Sequence, residues 1–223
     1  MERKTVIIIS LIFAIISTIY LLLDFFGIIR YIKLYIFSPV RYIKHYKNLD
    51  KNYKDRVVIS LTTTPDNMKK LKPVINSLLD QTIQVDSISL CIPYGSDYKV
   101  PIELKDAVSI FRGGKDGELN ALKSTINREG ESTTRIIILG DDSIYGKDFI
   151  ETLIEKSNKN PNNIICVGNS INLKKGSMFK TDFFKVDFID DITENITPSD
   201  KINDYFKNHK KIHIKYRENY KII

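Results

Sequence analysis

Cysteine and histidine are scarce in this 223-residue chain, with two of the first and three of the second. There is no Cys-x-x-Cys pair and no Cys/His cluster, which argues against a zinc site. Cys91 and Cys166 lie inside apolar, strand-like runs, where a buried free thiol is the default and no redox compartment can be read. His45, His209 and His213 are isolated and read as surface or strand residues. A glycine-rich phosphate loop is also missing: the first strand ends in Thr62-Thr63-Thr64, which argues against a P-loop phosphotransfer enzyme. No internal repeat occurs. The net charge of +7 is not arranged as a basic stripe with stacking aromatics, so nucleic acid is not an expected partner. Much of the excess lies beside the apolar N-terminal segment, where an anionic lipid surface accounts for it.

That segment is the first positive feature. Residues 5–23 contain no charge and are dominated by Ile, Leu, Phe and Val, which is about the 20 residues a helix needs to cross a bilayer. A cleaved signal peptide is the competing reading. Residues 20–26 are bulky throughout and offer no small-x-small cleavage site, so a retained single-pass anchor over residues 1–27 is expected. Residues 28–54 form a basic and aromatic juxtamembrane linker. Its first part reads as a segment lying on the membrane surface, or as a continuation of the anchor helix before a solvated linker. Arg3 and Lys4 precede the span, whereas Arg30, Lys33, Arg41, Lys44 and Lys47 follow it. By the positive-inside count the C-terminal domain faces the cytosol. A glycan on the Asn195-Ile-Thr sequon, which Pro198 follows, would place it in a secretory lumen instead.

Residues 55–223 read as one domain. Apolar β-rich runs at 56–62, 87–92, 108–111, 136–139 and 163–167 alternate with helical patterns at 68–79, 119–126 and 149–156. Pro65 and Asp66 open the first of these helices, and Pro73 kinks it or marks a second start. Residues 202–206 look helical, and Ile212, Ile214 and Tyr216 alternate as in a half-exposed last strand. The pattern predicts an α/β three-layer sandwich with a mostly parallel sheet.

Residues 135–145 are the most informative stretch. Ile136–Leu139 has the composition of a strand buried on both faces, and it stops at Gly140, Asp141 and Asp142. In open α/β sheets ligands bind at the carboxyl ends of strands. A carboxylate pair there can hold Mg²⁺ or Mn²⁺ against substrate phosphates. The alternative is a plain turn before the next helix.

Several ordered motifs resemble nucleotide-sugar glycosyltransferases of the GT-A (Rossmann-like) fold, closest to a family-2-like branch. Ile59-Ser-Leu-Thr-Thr-Thr-Pro65, Leu71-Lys-Pro73 and Ser77-Leu-Leu-Asp-Gln-Thr82 resemble the opening of that domain. Asp86-Ser-Ile-Ser-Leu-Cys-Ile-Pro93 resembles its second strand. Lys115-Asp-Gly-Glu-Leu-Asn-Ala-Leu122 is similar to the helix start before the metal strand, and 139–145 stands in place of an Asp-Asp-Asp-x-x-Tyr motif. Tyr145 sets the register, placing Gly140, Asp141 and Asp142 on the three aspartate positions. The resemblance then implies Asp142 as the metal ligand and Asp141 as ribose contact or second metal ligand. It puts Thr62, Thr63 and Thr64 beside the nucleotide, and Asp116 and Asn120 near the nucleotide–sugar junction. It also implies Mn²⁺ or Mg²⁺ as cofactor.

Inverting members use a late acidic residue as general base, and Asp190 and Asp191 stand at about that place; a helix N-cap is the other reading. Asp200 reads as a cap. The expected function is a membrane-anchored glycosyltransferase that moves sugar from a nucleotide-sugar donor to a glycan, protein or lipid acceptor. The alternative is a catalytically inactive, membrane-tethered GT-A-like module that binds glycan or protein.

Overall fold

The computed structural model describes residues 3–64, 66–95, 99–112, 117–130, 133–184, 198–216 and 220–221. It comprises two compact units, Met1–Phe37 and Ser38–Ile223. The first contains α1 (Arg3–Phe25) and α2 (Ile28–Ile36). Among the described residues, α1 is the one helix long and apolar enough to cross a membrane, and it buries none of its side chains. Two of its hydroxyls are satisfied within the helix, as an apolar medium requires: Ser10 donates to the Val6 carbonyl and Thr18 to that of Ala14, both at 2.9 Å. Gly27, with φ of 72°, ends the first helix in a left-handed turn that a side chain would strain. On α2, Ile28, Ile32 and Ile36 recur at four-residue spacing and are exposed.

The second unit begins with α3 (Pro39–Tyr46), whose Pro39 occupies the first turn, where its missing N–H costs nothing. The Tyr46 hydroxyl accepts from the Val85 amide at 2.8 Å. There follow β1 (Val57–Thr62), α4 (Leu71–Leu79), β2 (Ser87–Ile92), β3 (Ser109–Arg112), α5 (Glu118–Glu129), β4 (Arg135–Leu139), β5 (Ser143–Ile144), α6 (Phe149–Lys159), β6 (Ile164–Val167), β7 (Ser177–Lys180), α7 (Pro198–Tyr205), β8 (Lys211–Ile214) and β9 (Tyr220–Lys221). A seven-stranded sheet has the order β3-β2-β1-β4-β7-β6-β8, and β5 pairs with β9. All neighbours in the large sheet run parallel except β7, which is antiparallel to both β4 and β6.

The continuous apolar runs became the central strands because both faces of the sheet are covered. All five residues of β4 are buried. Ile136 and Ile138 pack with Leu119 and Leu122 of α5, Phe179 of β7, and Ile202 and Phe206 of the α7 region. Each such aliphatic side chain contributes about 1.5–3 kcal/mol through burial. Cys91 and Cys166 are buried free thiols, as their surroundings predict.

Two local expectations change. The helix expected from residue 68 begins as a 3₁₀ turn, Met68–Lys70, and turns α-helical only at Leu71. Pro73 therefore sits in the first turn of α4 and marks a second start rather than a kink, because the N–H it lacks would be unpaired there anyway. Strand β7 has no counterpart among the predicted elements. It lies in the middle of the sheet, with Ile136 opposite Phe179 and Ile138 opposite Ser177.

Candidate donor site at the carboxyl edge

Strands β1 and β4 are parallel neighbours with Leu61 opposite Leu139. Thr62–Thr64 and Gly140–Asp142 therefore leave the sheet side by side, at the edge where open α/β sheets bind ligands. Thr63 is buried and Thr64 exposed. The Thr64 carbonyl closes the next turn by accepting from the Asn67 and Met68 amides, both at 3.1 Å. That turn aims Asn67 at the aspartates: its Nδ2 donates to Asp141 Oδ1 at 3.3 Å. The other oxygen, Asp141 Oδ2, is buried and has no hydrogen-bond partner among the described residues. Asp142 Oδ1 accepts from the Ser143 hydroxyl at 3.2 Å.

Tyr145 locks this loop. Its ring is fully buried, its hydroxyl donates to the Gly140 carbonyl at 2.8 Å, and its amide donates to Ser77 Oγ at 3.1 Å. Burial pushes the Tyr145 phenol well above its ordinary pKa, and the charges of Asp142 and Asp141 add to the rise. It therefore remains a donor across the physiological range.

Gly140 answers to a close approach. The turn before β7 lies against it, with the Gly140 amide donating to the Lys174 carbonyl at 3.0 Å. A Cβ on Gly140 would stand 3.0 Å from that carbonyl oxygen and 3.0 Å from Asp142 Oδ1. A side chain at this first motif position would press on that backbone, which would have to give by a few tenths of an ångström.

The same turn brings in Lys174, which local sequence reading missed. Its ammonium pairs with Glu118 Oε1 at 3.3 Å, in the first turn of α5. The Glu118 carboxylate, by charge and hydrogen bond, raises the Lys174 pKa above its ordinary value; burial opposes this, and Asp142 and Asp141 add to it. Asn120 stands in the same first turn, and α5 is fixed on β1 through the Ser60–Thr125 hydroxyl pair at 2.8 Å. The structure thus gathers Thr62, Thr63, Thr64, Asn120, Asp141 and Asp142 at one edge, and adds Asn67, Glu118 and Lys174. Of these three, Glu118 carried a signal, as an acid at a helix start; Asn67 and Lys174 carried none. Asp116, Asp190, Asp191 and the Asn195 sequon lie outside the described residues.

Among the described residues, no three His, Cys, Asp or Glu side chains form a group able to hold a metal alone. The donor set nevertheless fits a hard cation that takes further ligands from phosphate and water: two adjacent carboxylates, one with an unpartnered buried oxygen. Two surface clefts, of about 640 and 350 Å³, are lined by other residues, the first by Asp148, Thr152, Lys156, His213, Lys215 and Tyr216. Chemistry rather than concavity therefore singles out the carboxyl edge.

No known family profile matches the sequence, and no curated protein matches it. Solved structures do share the fold. A 4-diphosphocytidyl-2C-methyl-D-erythritol synthase aligns with TM-score 0.54 at 11% identity, covering 76% of this chain and 94% of its own. A cytidylyltransferase from Leptospira borgpetersenii aligns with TM-score 0.50 at 12% identity, over 74% and 76% of the two chains. A protein described as a nucleotide-diphospho-sugar transferase from Desulfovibrio desulfuricans gives TM-score 0.47 at 9% identity, over 73% and 80%. The first two share the α/β fold of this chain.

Proposed function

We propose that the chain is a glycosyltransferase of GT-A type, anchored by α1, that uses a nucleotide-sugar donor. The observation that carries this reading is the buried, unpartnered Asp141 Oδ2 beside Asp142, at the carboxyl end of a fully buried strand. A fold shared with two proteins named for cytidylyl compounds supports it. Asp142, with Asp141, would hold Mg²⁺ or Mn²⁺. Such an ion, when bound, stabilises the negative charge on a departing diphosphate. Thr62, Thr63 and Thr64 supply hydroxyls and backbone groups toward the nucleotide, and Asn67 keeps Asp141 turned to its ligand. Asn120, at the start of α5, is assigned to the sugar side, and so by the motif it shares is Asp116. Asp190 or Asp191 takes the acceptor hydroxyl's proton as that oxygen bonds the sugar's anomeric carbon and the diphosphate leaves with the electron pair. The basic flank after α1 puts the domain on the cytosolic side, with glycan, protein or lipid as acceptor.

The test is release of nucleoside diphosphate from a panel of nucleotide sugars, with and without Mn²⁺, by the wild type and by Asp142→Asn. Turnover that needs Mn²⁺ and disappears in Asp142→Asn is expected. Pyrophosphate released from nucleoside triphosphate and sugar phosphate would instead mean nucleotidyl transfer. Neither turnover nor binding would leave the inactive binding module.

A further inference from the structure

The first aspartate position of the carboxyl edge carries no carboxylate, and the main chain of a lysine, Lys174, lies directly against it. Lys174 reaches this place through backbone geometry. The turn before β7 is held by Asn172, whose Oδ1 accepts from the amides of Lys174 and Lys175 at 2.9 and 3.0 Å. The Lys174 carbonyl receives the Gly140 amide at 3.0 Å, so its main chain is tied to the strand end that presents Asp141 and Asp142. Its side chain is 63% exposed, whereas its partner Glu118 is only 16% exposed. The ammonium can therefore meet a solvent-borne ligand while Glu118 stays fixed on α5. Where three aspartates would present three negative charges, this edge presents two carboxylates and an ammonium paired with Glu118.

We propose that Lys174 is a diphosphate-binding residue of the donor site, contacting the phosphate oxygens of a nucleoside diphosphate at the position that Gly140 leaves without a carboxylate. The inference rests on the nucleotide-sugar reading above and specifies which group takes the phosphates. Lysine suits the task as a compact point charge on a flexible stem, and a diphosphate offers more charge than the Glu118 carboxylate it partly replaces.

The test uses the full chain in detergent micelles with Mn²⁺, titrated with UDP, GDP, CDP and dTDP and with the corresponding nucleosides. With whichever nucleotide the wild type binds, Lys174→Met should weaken the diphosphate about ten-fold or more and leave the nucleoside unchanged. Lys174→Arg should restore most of the affinity. Glu118→Gln, which removes an anion from beside the ligand, should bind the diphosphate at least as tightly as the wild type. Equal weakening of nucleoside and diphosphate by Lys174→Met would mean a structural role and overturn the proposal, as would unchanged diphosphate affinity. Weaker diphosphate binding by Glu118→Gln would overturn it independently, even if Lys174→Met failed to fold. If Asp142→Asn still abolishes Mn²⁺-dependent binding while Lys174→Met has no effect, the donor reading stands and only Lys174 falls. If the wild type binds none of the four diphosphates, the donor reading itself falls.

Discussion

At the amino edge of the sheet, Asp86 accepts from Lys51 Nζ at 2.7 Å and from the Val57 amide at 2.8 Å. Asp55 there takes a forked pair from Arg135, Nε at 3.1 Å and Nη2 at 2.7 Å, while Arg135 Nη1 donates to Asn158 at 2.6 Å. At the carboxyl edge of the same strands, Asp141 has, among the described residues, one donor for two oxygens, and one of those oxygens is buried without a partner among them. A buried acceptor left unpaired costs free energy on the order of 1–3 kcal/mol. The contrast separates carboxylates whose donors are built into the fold from one with an oxygen to spare.

The largest effect on folding is expected where the amino edge is most buried. Arg135→Ala leaves Asp55 and Asn158 facing an empty site, and breaking a buried pair from one side costs about 3–5 kcal/mol. Denaturant unfolding should show this loss, with diphosphate affinity unchanged in the folded protein. A cost below about 1 kcal/mol would mean that the amino edge is no more structural than the carboxyl edge. Next comes Gly140→Ala. Its new methyl would meet the Lys174 carbonyl and Asp142 Oδ1 at 3.0 Å, and such overpacking costs about 1–3 kcal/mol. This variant should lose both stability and diphosphate affinity, since it moves Asp142. Wild-type behaviour in both measurements would show that the turn before β7 yields readily and that glycine is not required.

Much of this architecture was legible in the sequence because burial on both faces writes itself as unbroken apolar runs. β1, β2, β4 and β6 announced themselves in that way. β7 did not: Ser177-Met178-Phe179-Lys180 has only two apolar residues, and its central place comes from pairing with Ile136–Ile138 rather than from any period. The aspartates and threonines stood out because they follow strands at the edge where open α/β sheets bind ligands, and the structure sets the two strand ends side by side. Lys174 was invisible for the reason that hid β7, since the antiparallel return of that strand is what carries it to Gly140. Asn67 was hidden as well, because a single turn asparagine is ordinarily a turn residue and nothing more.

A smaller effect separates the edges by pH. Burial pushes the Asp86 carboxyl upward, but the Lys51 hydrogen bond, the Val57 amide and the charges of Lys51 and Arg56 outweigh it and hold its pKa below the ordinary value. A carboxyl depressed on folding contributes stability above its unfolded pKa, about 4, and loses that contribution as pH falls through the lower folded value. Lys51 is 41% exposed, so solvent screening limits the contribution to about 1 kcal/mol or less. Unfolding free energy should drop below about pH 4 in the wild type and drop less in Asp86→Asn. Parallel curves for the two proteins would show that Asp86 does not hold the amino edge.

Asp141→Asn should change folding least of all, within about 0.5 kcal/mol. The amide oxygen can still accept from Asn67 Nδ2, an uncharged amide nitrogen takes the place of the buried Oδ2, and the repulsion from Asp142 falls. Asp55 and Asp86 at the amino edge cannot be neutralised so cheaply, because each has donors built around it. Yet the same change removes half of the charge available to a cation, so Mn²⁺-dependent binding of a nucleoside diphosphate should weaken about ten-fold or more. Thermal unfolding and nucleotide titration of this one variant read both sides of the contrast. A clear loss of stability with intact binding would reverse the roles assigned to the two edges and make Asp141 a structural residue.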